Sequence, residues 1–118
     1  MKTGFLGLGS MGAPMARNLA KAGLLQGVWN RSHNKAQALA AELGCIAPTD
    51  PAVLAADCDV LVLCVSADRD VLDVLASLEL GLKSGTLVID CSTVSAATAR
   101  EAAKKIALRG ARFLDCPV

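Results

Sequence analysis

The amino-acid sequence predicts a single α/β domain built on a doubly wound parallel sheet. The chain has 118 residues, of which 53% are hydrophobic, and this length suits one compact domain with a buried core. Short apolar runs alternate with segments of helical period, and a glycine-rich turn follows the first apolar run. Because strands that alternate with helices pair in parallel through right-handed crossovers, one domain is expected over residues 1–118.

Six short apolar runs are expected to form the strands of this sheet. The clearest is 59–65, which is continuously apolar after Asp59, as is typical of a parallel strand covered on both faces. The other five are residues 3–7, 25–29, 45–47, 86–91 and 112–116, and the run at 45–47 is the shortest. Six such strands predict the order 3-2-1-4-5-6.

Helices are expected between these runs. The first would begin at Gly9 and end at Gly23, with a packed face of helical spacing made by Met11, Met15, Leu19 and Ala22. Asn34 can cap a second helix, and Ser95 can cap the last one. Shorter helices are expected at 51–56 and 68–75.

Composition and charge exclude several classes of function. The formal net charge is +1, from 12 basic and 11 acidic residues, and these are not clustered as a nucleic-acid surface requires. No apolar run approaches the ~20 residues of a membrane span. One histidine and five scattered cysteines are too few for a metal site. A reduced, cytoplasmic setting is expected, with Cys64, Cys91 and Cys116 as small buried side chains.

The glycine-rich turn is the main candidate functional motif. Gly7-Leu8-Gly9-Ser10-Met11-Gly12 has the pattern G-x-G-x-x-G, lies after a predicted strand and opens a predicted helix. In a Rossmann domain Gly7 would permit the tight turn, Gly9 would let the backbone approach a pyrophosphate, and Gly12 would allow close helix packing. The alternative is a tight turn without a ligand. The pattern favours a dinucleotide held at the helix N-terminus.

The end of the second predicted strand indicates which dinucleotide is bound. Domains that prefer NAD usually place Asp or Glu there, ~20 residues after the glycines, to hold the ribose hydroxyls. This chain has Asn30-Arg31-Ser32 instead. The planar guanidinium of Arg31 suits the 2′-phosphate of NADP, and Asn30 and Ser32 add neutral donors. NADP is therefore expected, with NAD possible; the alternative is that Arg31 is an ordinary exposed loop arginine.

The opening stretch, residues 7–19, resembles the start of the β-hydroxyacid dehydrogenases, the group of 3-hydroxyisobutyrate dehydrogenase and glyoxylate/succinic semialdehyde reductase. Three further stretches are similar to the same family in the same order: Leu63-Cys64-Val65-Ser66, Val88-Ile89-Asp90-Cys91-Ser92-Thr93 and Asp115-Cys116-Pro117-Val118. All four stretches lie at the carboxyl ends of predicted strands, at the sheet edge where open α/β folds bind ligands.

The resemblance implies roles for residues of these stretches. Val65 and Ser66 would line the cofactor cleft, with Asp70 a weaker candidate, and Thr93 would contact the nicotinamide half. Residues implied to contact or border the substrate are Ser92, Asp115, Pro117 and Val118. The alternative for Ser92 and Thr93 is a turn that precedes the capped helix.

The resemblance also implies an activity. The chain would be the cofactor-binding domain of an NADP-dependent oxidoreductase acting on small 3-hydroxy acids or the corresponding aldehyde acids, such as 3-hydroxyisobutyrate, glyoxylate, and succinic or tartronate semialdehyde. The family's all-helical second domain and catalytic lysine would lie beyond Val118, so no catalytic residue is expected in this chain. The fragment alone would be inactive, and homo-oligomers would form through the helical domain. The alternative is an inactive nucleotide-binding sensor or scaffold domain.

Overall fold

The computed structural model describes all residues, 1–118. The chain forms five strands and five α-helices, labelled in chain order, and two of the helices, α2 and α3, lie between β2 and β3. The strands are β1 (Thr3–Leu6), β2 (Leu25–Trp29), β3 (Val60–Leu63), β4 (Leu87–Asp90) and β5 (Arg112–Asp115). The helices are α1 (Gly12–Lys21), α2 (His33–Leu43), α3 (Pro51–Ala56), α4 (Asp68–Leu78) and α5 (Ala96–Ala107), with a 3₁₀ turn at Glu79–Gly81.

All paired strands are parallel, in the order β2-β1-β3-β4-β5, which confirms the doubly wound α/β fold. The prediction of six strands is wrong. Residues 45–47 contribute only one bridge, between Ile46 and Gly27, at the position expected for the third strand. Ile46 donates its N–H to Gln26 and accepts one from Val28. The next ladder donor would be the nitrogen of Pro48, which carries no hydrogen, so pairing stops there.

The sheet is covered on both faces, because successive residues of a strand point to opposite sides. Phe5, Val28 and Val62 belong to the buried cluster beneath α1 and α2. Leu6, Leu61 and Leu63 belong to the larger cluster that includes side chains of α3, α4 and α5. Parallel pairing places the carboxyl ends of the strands side by side, with Leu6 beside Leu63, Leu63 beside Asp90 and Asp90 beside Asp115.

Helix α1 begins at Gly12, three residues later than expected. The later start places Pro14 in the first turn, where a missing N–H breaks no helical hydrogen bond. The packed face also differs from the prediction: Gly12 and Ala16 are the buried residues, while Met11 is 53% exposed. Ala22, predicted on the packed face, is also exposed.

Other helix ends partly follow the predictions. Ser32, not Asn34, is the N-cap residue of α2, and it makes no side-chain capping hydrogen bond. Helix α4 continues three residues past the expected end, to Leu78, which is fully buried. The predicted cap at Ser95 is confirmed, since its Oγ accepts the N–H of Thr98 at 3.2 Å.

The five cysteines differ in their exposure to solvent. All five cysteines are free thiols, and Cys116 is exposed, against the expectation that it is buried. Cys91 is buried and Cys64 is half-buried, packed on the α1 side of the sheet. None of the helices combines the length and the apolar character needed to span a membrane.

Candidate functional site

The glycine loop between β1 and α1 is shaped by two close backbone approaches. Gly7 has φ +101°, and a β-carbon there would overlap the carbonyl oxygen of Cys64. A β-carbon at Gly12 would overlap the carbonyl oxygen of Gly7 and lie 3.2 Å from Cε1 of Phe5. The tight turn predicted at Gly7 and the close helix packing predicted at Gly12 are both present in the structure.

Gly9 differs from its two neighbours in the motif. It is exposed, and a β-carbon on it would meet no heavy atom within 4 Å. The backbone N–H groups of Ser10, Met11 and Gly12 make no hydrogen bond within the chain. These free donors stand at the positive end of the α1 dipole, with open space beside Gly9. The loop therefore fits the pyrophosphate of a dinucleotide.

Asn30 ties the glycine loop to the end of β2. Its Oδ1 accepts the N–H of Leu8 at 2.9 Å, and its Nδ2 donates to the carbonyl of Ser32 at 3.2 Å. Gly7 donates its N–H to the carbonyl of Trp29 at 2.9 Å. The side chain of Asn30 therefore positions the loop. Its predicted role as a neutral donor to the cofactor stays a prediction, because Nδ2 carries a second N–H besides the one that Ser32 accepts.

Arg31 follows Asn30 and is also engaged. Its Nη2 lies 2.7 Å from Oδ1 of Asp70, on the first turn of α4. The side chain of Arg31 is 72% exposed and that of Asp70 is 24% exposed. This ion pair joins the loop after β2 to the helix after β3, across the crevice between them.

A groove of about 200 Å³ runs along this edge of the sheet. It brings together eight of the predicted cofactor residues: Gly7, Leu8, Gly9, Asn30, Arg31, Val65, Ser66 and Asp70. Of the other predicted cofactor residues, Ser10, Met11 and Gly12 lie where α1 begins, Ser32 caps α2, and exposed Thr93 follows β4. One open groove therefore extends from Gly9, which adjoins the free N–H groups in the chain, to the Arg31–Asp70 pair.

Four groove residues were missed by the sequence analysis: Trp29, Lys35, Cys64 and Val74. Lys35 is exposed and forms no ion pair, so its ammonium group can move toward an anion. Lys35 lies in the first turn of α2 and Arg31 lies before the helix, so no helical spacing rule links the two residues in the sequence. Val74, on α4, could not be found from sequence without the helix packing.

Ser92 is buried and hydrogen-bonds to Val65, which lines the groove. Its side chain is buried; its Oγ accepts the N–H of Val65 at 2.8 Å, and its own N–H donates to Oδ1 of Asp90 at 2.9 Å. These bonds join the turns that follow β3 and β4. The hydroxyl of Ser92 therefore supports the Val65 turn, and the geometry gives it no open path to a substrate.

Asp90 is the one fully buried carboxyl group at this edge. Its Oδ2 has no hydrogen-bond partner, and burial raises the pKa of Asp90, although its bonds to Ser92 act in the opposite direction. Asp115 lies beside it in register on β5 and is exposed, as are Pro117 and Val118. The predicted substrate residues other than Ser92 thus lie on the open end of the sheet.

Comparison with known proteins agrees with this geometry. A family model described as the NAD-binding domain of 6-phosphogluconate dehydrogenase matches residues 2–118. The chain belongs to this family. Among curated relatives, the NAD-binding domain is 38% identical over 120 residues to the human cytokine-like nuclear factor N-PAC. It is 38% identical over 118 residues to glyoxylate/succinic semialdehyde reductase 2, chloroplastic, of Arabidopsis thaliana.

The chain covers only part of these proteins. The alignments include 99% and 98% of this NAD-binding domain but 22% of N-PAC and 33% of the plant reductase. Among solved structures, 3-hydroxyisobutyrate dehydrogenase of Mycobacterium tuberculosis matches with a TM-score of 0.91 and 31% identity, over 99% of this chain and 40% of that one. A reductive aminase of Aspergillus terreus, solved with NADPH and ethyl levulinate, matches with a TM-score of 0.84 and 29% identity, over 97% and 39%. The resemblance to the β-hydroxyacid dehydrogenases is confirmed.

Proposed function

We propose that this NAD-binding domain takes NADP(H) in preference to NAD(H), and serves an oxidoreductase that acts on small 3-hydroxy acids or the corresponding aldehyde acids. The observation that carries the cofactor preference is the end of β2, where the groove presents Arg31 and no acidic residue of that strand. Lys35 adds a second, unpaired cation at the same wall. Two structural relatives support it, since one is named as a dehydrogenase of a 3-hydroxy acid and another was solved with NADPH.

Each part of the groove has a distinct task in this proposal. The free N–H groups of Ser10, Met11 and Gly12 hold the pyrophosphate, which Gly9 lets approach the backbone. Arg31 and Lys35 hold the 2′-phosphate, and Ser32, the N-cap residue of α2, adjoins Arg31 in the chain. Val65 and Ser66 line the cleft toward the nicotinamide, and Thr93 borders it.

A bound nicotinamide would supply or accept the hydride, and the residues of this chain would orient it. Asp115, Pro117 and Val118 begin the loop that would meet a small acid such as 3-hydroxyisobutyrate, glyoxylate, or succinic or tartronate semialdehyde. We assign no proton-transferring residue to this chain. Lys104 and Lys105 lie exposed on α5, and the buried carboxyl of Asp90 has no open path to a substrate. We infer that these 118 residues bind the cofactor and do not turn over substrate alone.

The test is Arg31→Ala, with NADPH and NADH titrated separately. A hydrogen bond to a charged group contributes about 1.5–3 kcal/mol, so NADPH binding should weaken at least tenfold while NADH binding stays nearly unchanged. Arg109→Ala is the matched control, because Arg109 also pairs with an acid, Glu79 at 3.5 Å, but lies outside the groove. An equal loss for both cofactors would contradict the placement of the 2′-phosphate at Arg31.

A second candidate function is nucleotide binding without turnover, as a sensor or scaffold. It is favoured by one observation, the 38% identity to proteins named as nuclear factors instead of reductases. The two candidates differ in one measurement on the full-length gene product. An enzyme of the proposed class reduces glyoxylate or succinic semialdehyde with NADPH. A sensor or scaffold binds NADPH and reduces neither.

A further inference from the structure

The Arg31–Asp70 ion pair crosses the groove at the place where the proposed 2′-phosphate must lie. The two side chains are 2.7 Å apart, and both line the groove. The neighbouring charged residues of α4 have other partners: Arg69 lies 3.9 Å from Asp73, and Asp68 accepts hydrogen bonds from Ser95 and Thr98. Asp70 is therefore the acid that holds Arg31, although the two residues are separated by 39 positions in the sequence.

A phosphate and Asp70 compete for the same guanidinium. The 2′-phosphate carries more negative charge than a carboxylate. When it binds Arg31, it must either displace Asp70 or lie within a few ångströms of the Asp70 carboxylate, which repels it. NAD has a hydroxyl group in that position, which a carboxylate accepts as a hydrogen-bond donor without repulsion. The Asp70 carboxylate therefore disfavours the 2′-phosphate of NADP and favours the 2′-hydroxyl of NAD.

We propose that Asp70 is a specificity-determining residue, which competes with the 2′-phosphate for Arg31 and so reduces the preference of this domain for NADP over NAD. The inference rests on the proposed function, because it requires the 2′-phosphate at Arg31. Asp70 supplies from α4 the carboxylate that NAD-preferring domains usually carry at the end of β2. On this proposal, Asp70 would let NAD bind beside Arg31 as well as NADP.

The experiment is Asp70→Asn, which keeps the size of the side chain and removes its charge. Dissociation constants are measured for NADP⁺, NAD⁺, 2′,5′-ADP and 5′-AMP, the last two because they isolate the 2′-phosphate. Exposed ion pairs are weak, so NADP⁺ and 2′,5′-ADP should bind about two- to fivefold more tightly in the variant. NAD⁺ and 5′-AMP should bind equally well or more weakly.

The control is Glu79→Gln, which removes the same charge from an exposed arginine pair away from the groove. It should leave all four dissociation constants unchanged. Unchanged or weaker NADP⁺ binding by Asp70→Asn would overturn the inference, and so would an equal tightening of NAD⁺. Failure of the proposed function looks different, because wild-type protein would then bind 2′,5′-ADP no better than 5′-AMP.

Discussion

Replacement of Gly9 by alanine should separate cofactor binding from folding. The added methyl group would meet no heavy atom within 4 Å, and the φ angle of Gly9 is not positive. The folded loop therefore accepts alanine as it stands. The same methyl group occupies the open space beside the free N–H groups of Ser10 and Met11, where we propose that the pyrophosphate lies.

Stability and affinity are then expected to change in opposite directions. Alanine restricts the unfolded chain more than glycine does, which stabilises a compatible site by about 0.4–1 kcal/mol. Each hydrogen bond lost to the charged pyrophosphate weakens binding by about 1.5–3 kcal/mol, which is at least about tenfold in the dissociation constant. Gly12→Ala is the matched control. Its methyl group would overlap the carbonyl of Gly7, so α1 must move away from β1, which we expect to destabilise the fold by about 1–3 kcal/mol.

Urea unfolding followed by circular dichroism measures the stability of both variants, and a fluorescence titration with NADPH measures affinity. We expect Gly9→Ala to unfold at or above the wild-type midpoint and to bind NADPH at least tenfold more weakly. Gly12→Ala should unfold at a lower urea concentration. Wild-type affinity in Gly9→Ala would refute the placement of the pyrophosphate, and a lowered midpoint in Gly9→Ala would refute the open space beside this residue.

Two further predictions concern buried ionisable groups. Exposed Cys116 should be alkylated by iodoacetamide well before Cys58, because burial raises the pKa of Cys58 to about 11. Peptide mass spectrometry over time measures this order, and faster labelling of Cys58 would contradict it. Burial also raises the pKa of Asp90 above its ordinary value of 3.8, so the folded state binds the proton of Asp90 more tightly than the unfolded state does. Protonation of Asp90 therefore stabilises the fold at low pH, and this contribution is lost as the pH rises through the folded pKa. Urea midpoints measured from pH 3.5 to 7 should therefore fall less with rising pH in Asp90→Asn than in the wild type. Parallel pH profiles for the two proteins would contradict this assignment to Asp90.

The strands could be predicted because each depends on a local pattern. A parallel strand covered on both faces is a continuous apolar run, and β3 at Val60–Leu63 shows this directly. The prediction failed at 45–47, where three apolar residues satisfied the pattern but Pro48 removed the next ladder donor. It also failed at the start of α2, since Ser32 and Asn34 are both residues that favour caps and only the backbone path chooses between them.

The backbone conformation of the site could be predicted from the sequence, but the partners of its side chains could not. The turn at Gly7 and the packing at Gly12 follow from steric limits within one short segment. By contrast, the engagement of Asn30 with Leu8 depends on how the end of β2 meets the loop after β1. The pairing of Arg31 with Asp70 joins segments 39 residues apart, and neither residue alone indicates it. Lys35 was missed because the sequence does not show that the first turn of α2 lines the crevice.

The backbone N–H groups of the loop and the Arg31–Asp70 side chains are expected to have different effects on cofactor binding. The N–H groups of the loop are fixed by the fold and have no competing partner, so they hold a pyrophosphate that NAD and NADP share. The cation that could distinguish the two cofactors has a competing partner, since Arg31 must leave Asp70 to meet a phosphate. Changes in the loop should therefore alter the affinity for both cofactors together. Changes at the Arg31–Asp70 pair should alter the ratio of the two affinities and leave the stability of the domain nearly constant, because an exposed ion pair contributes about 0–1 kcal/mol.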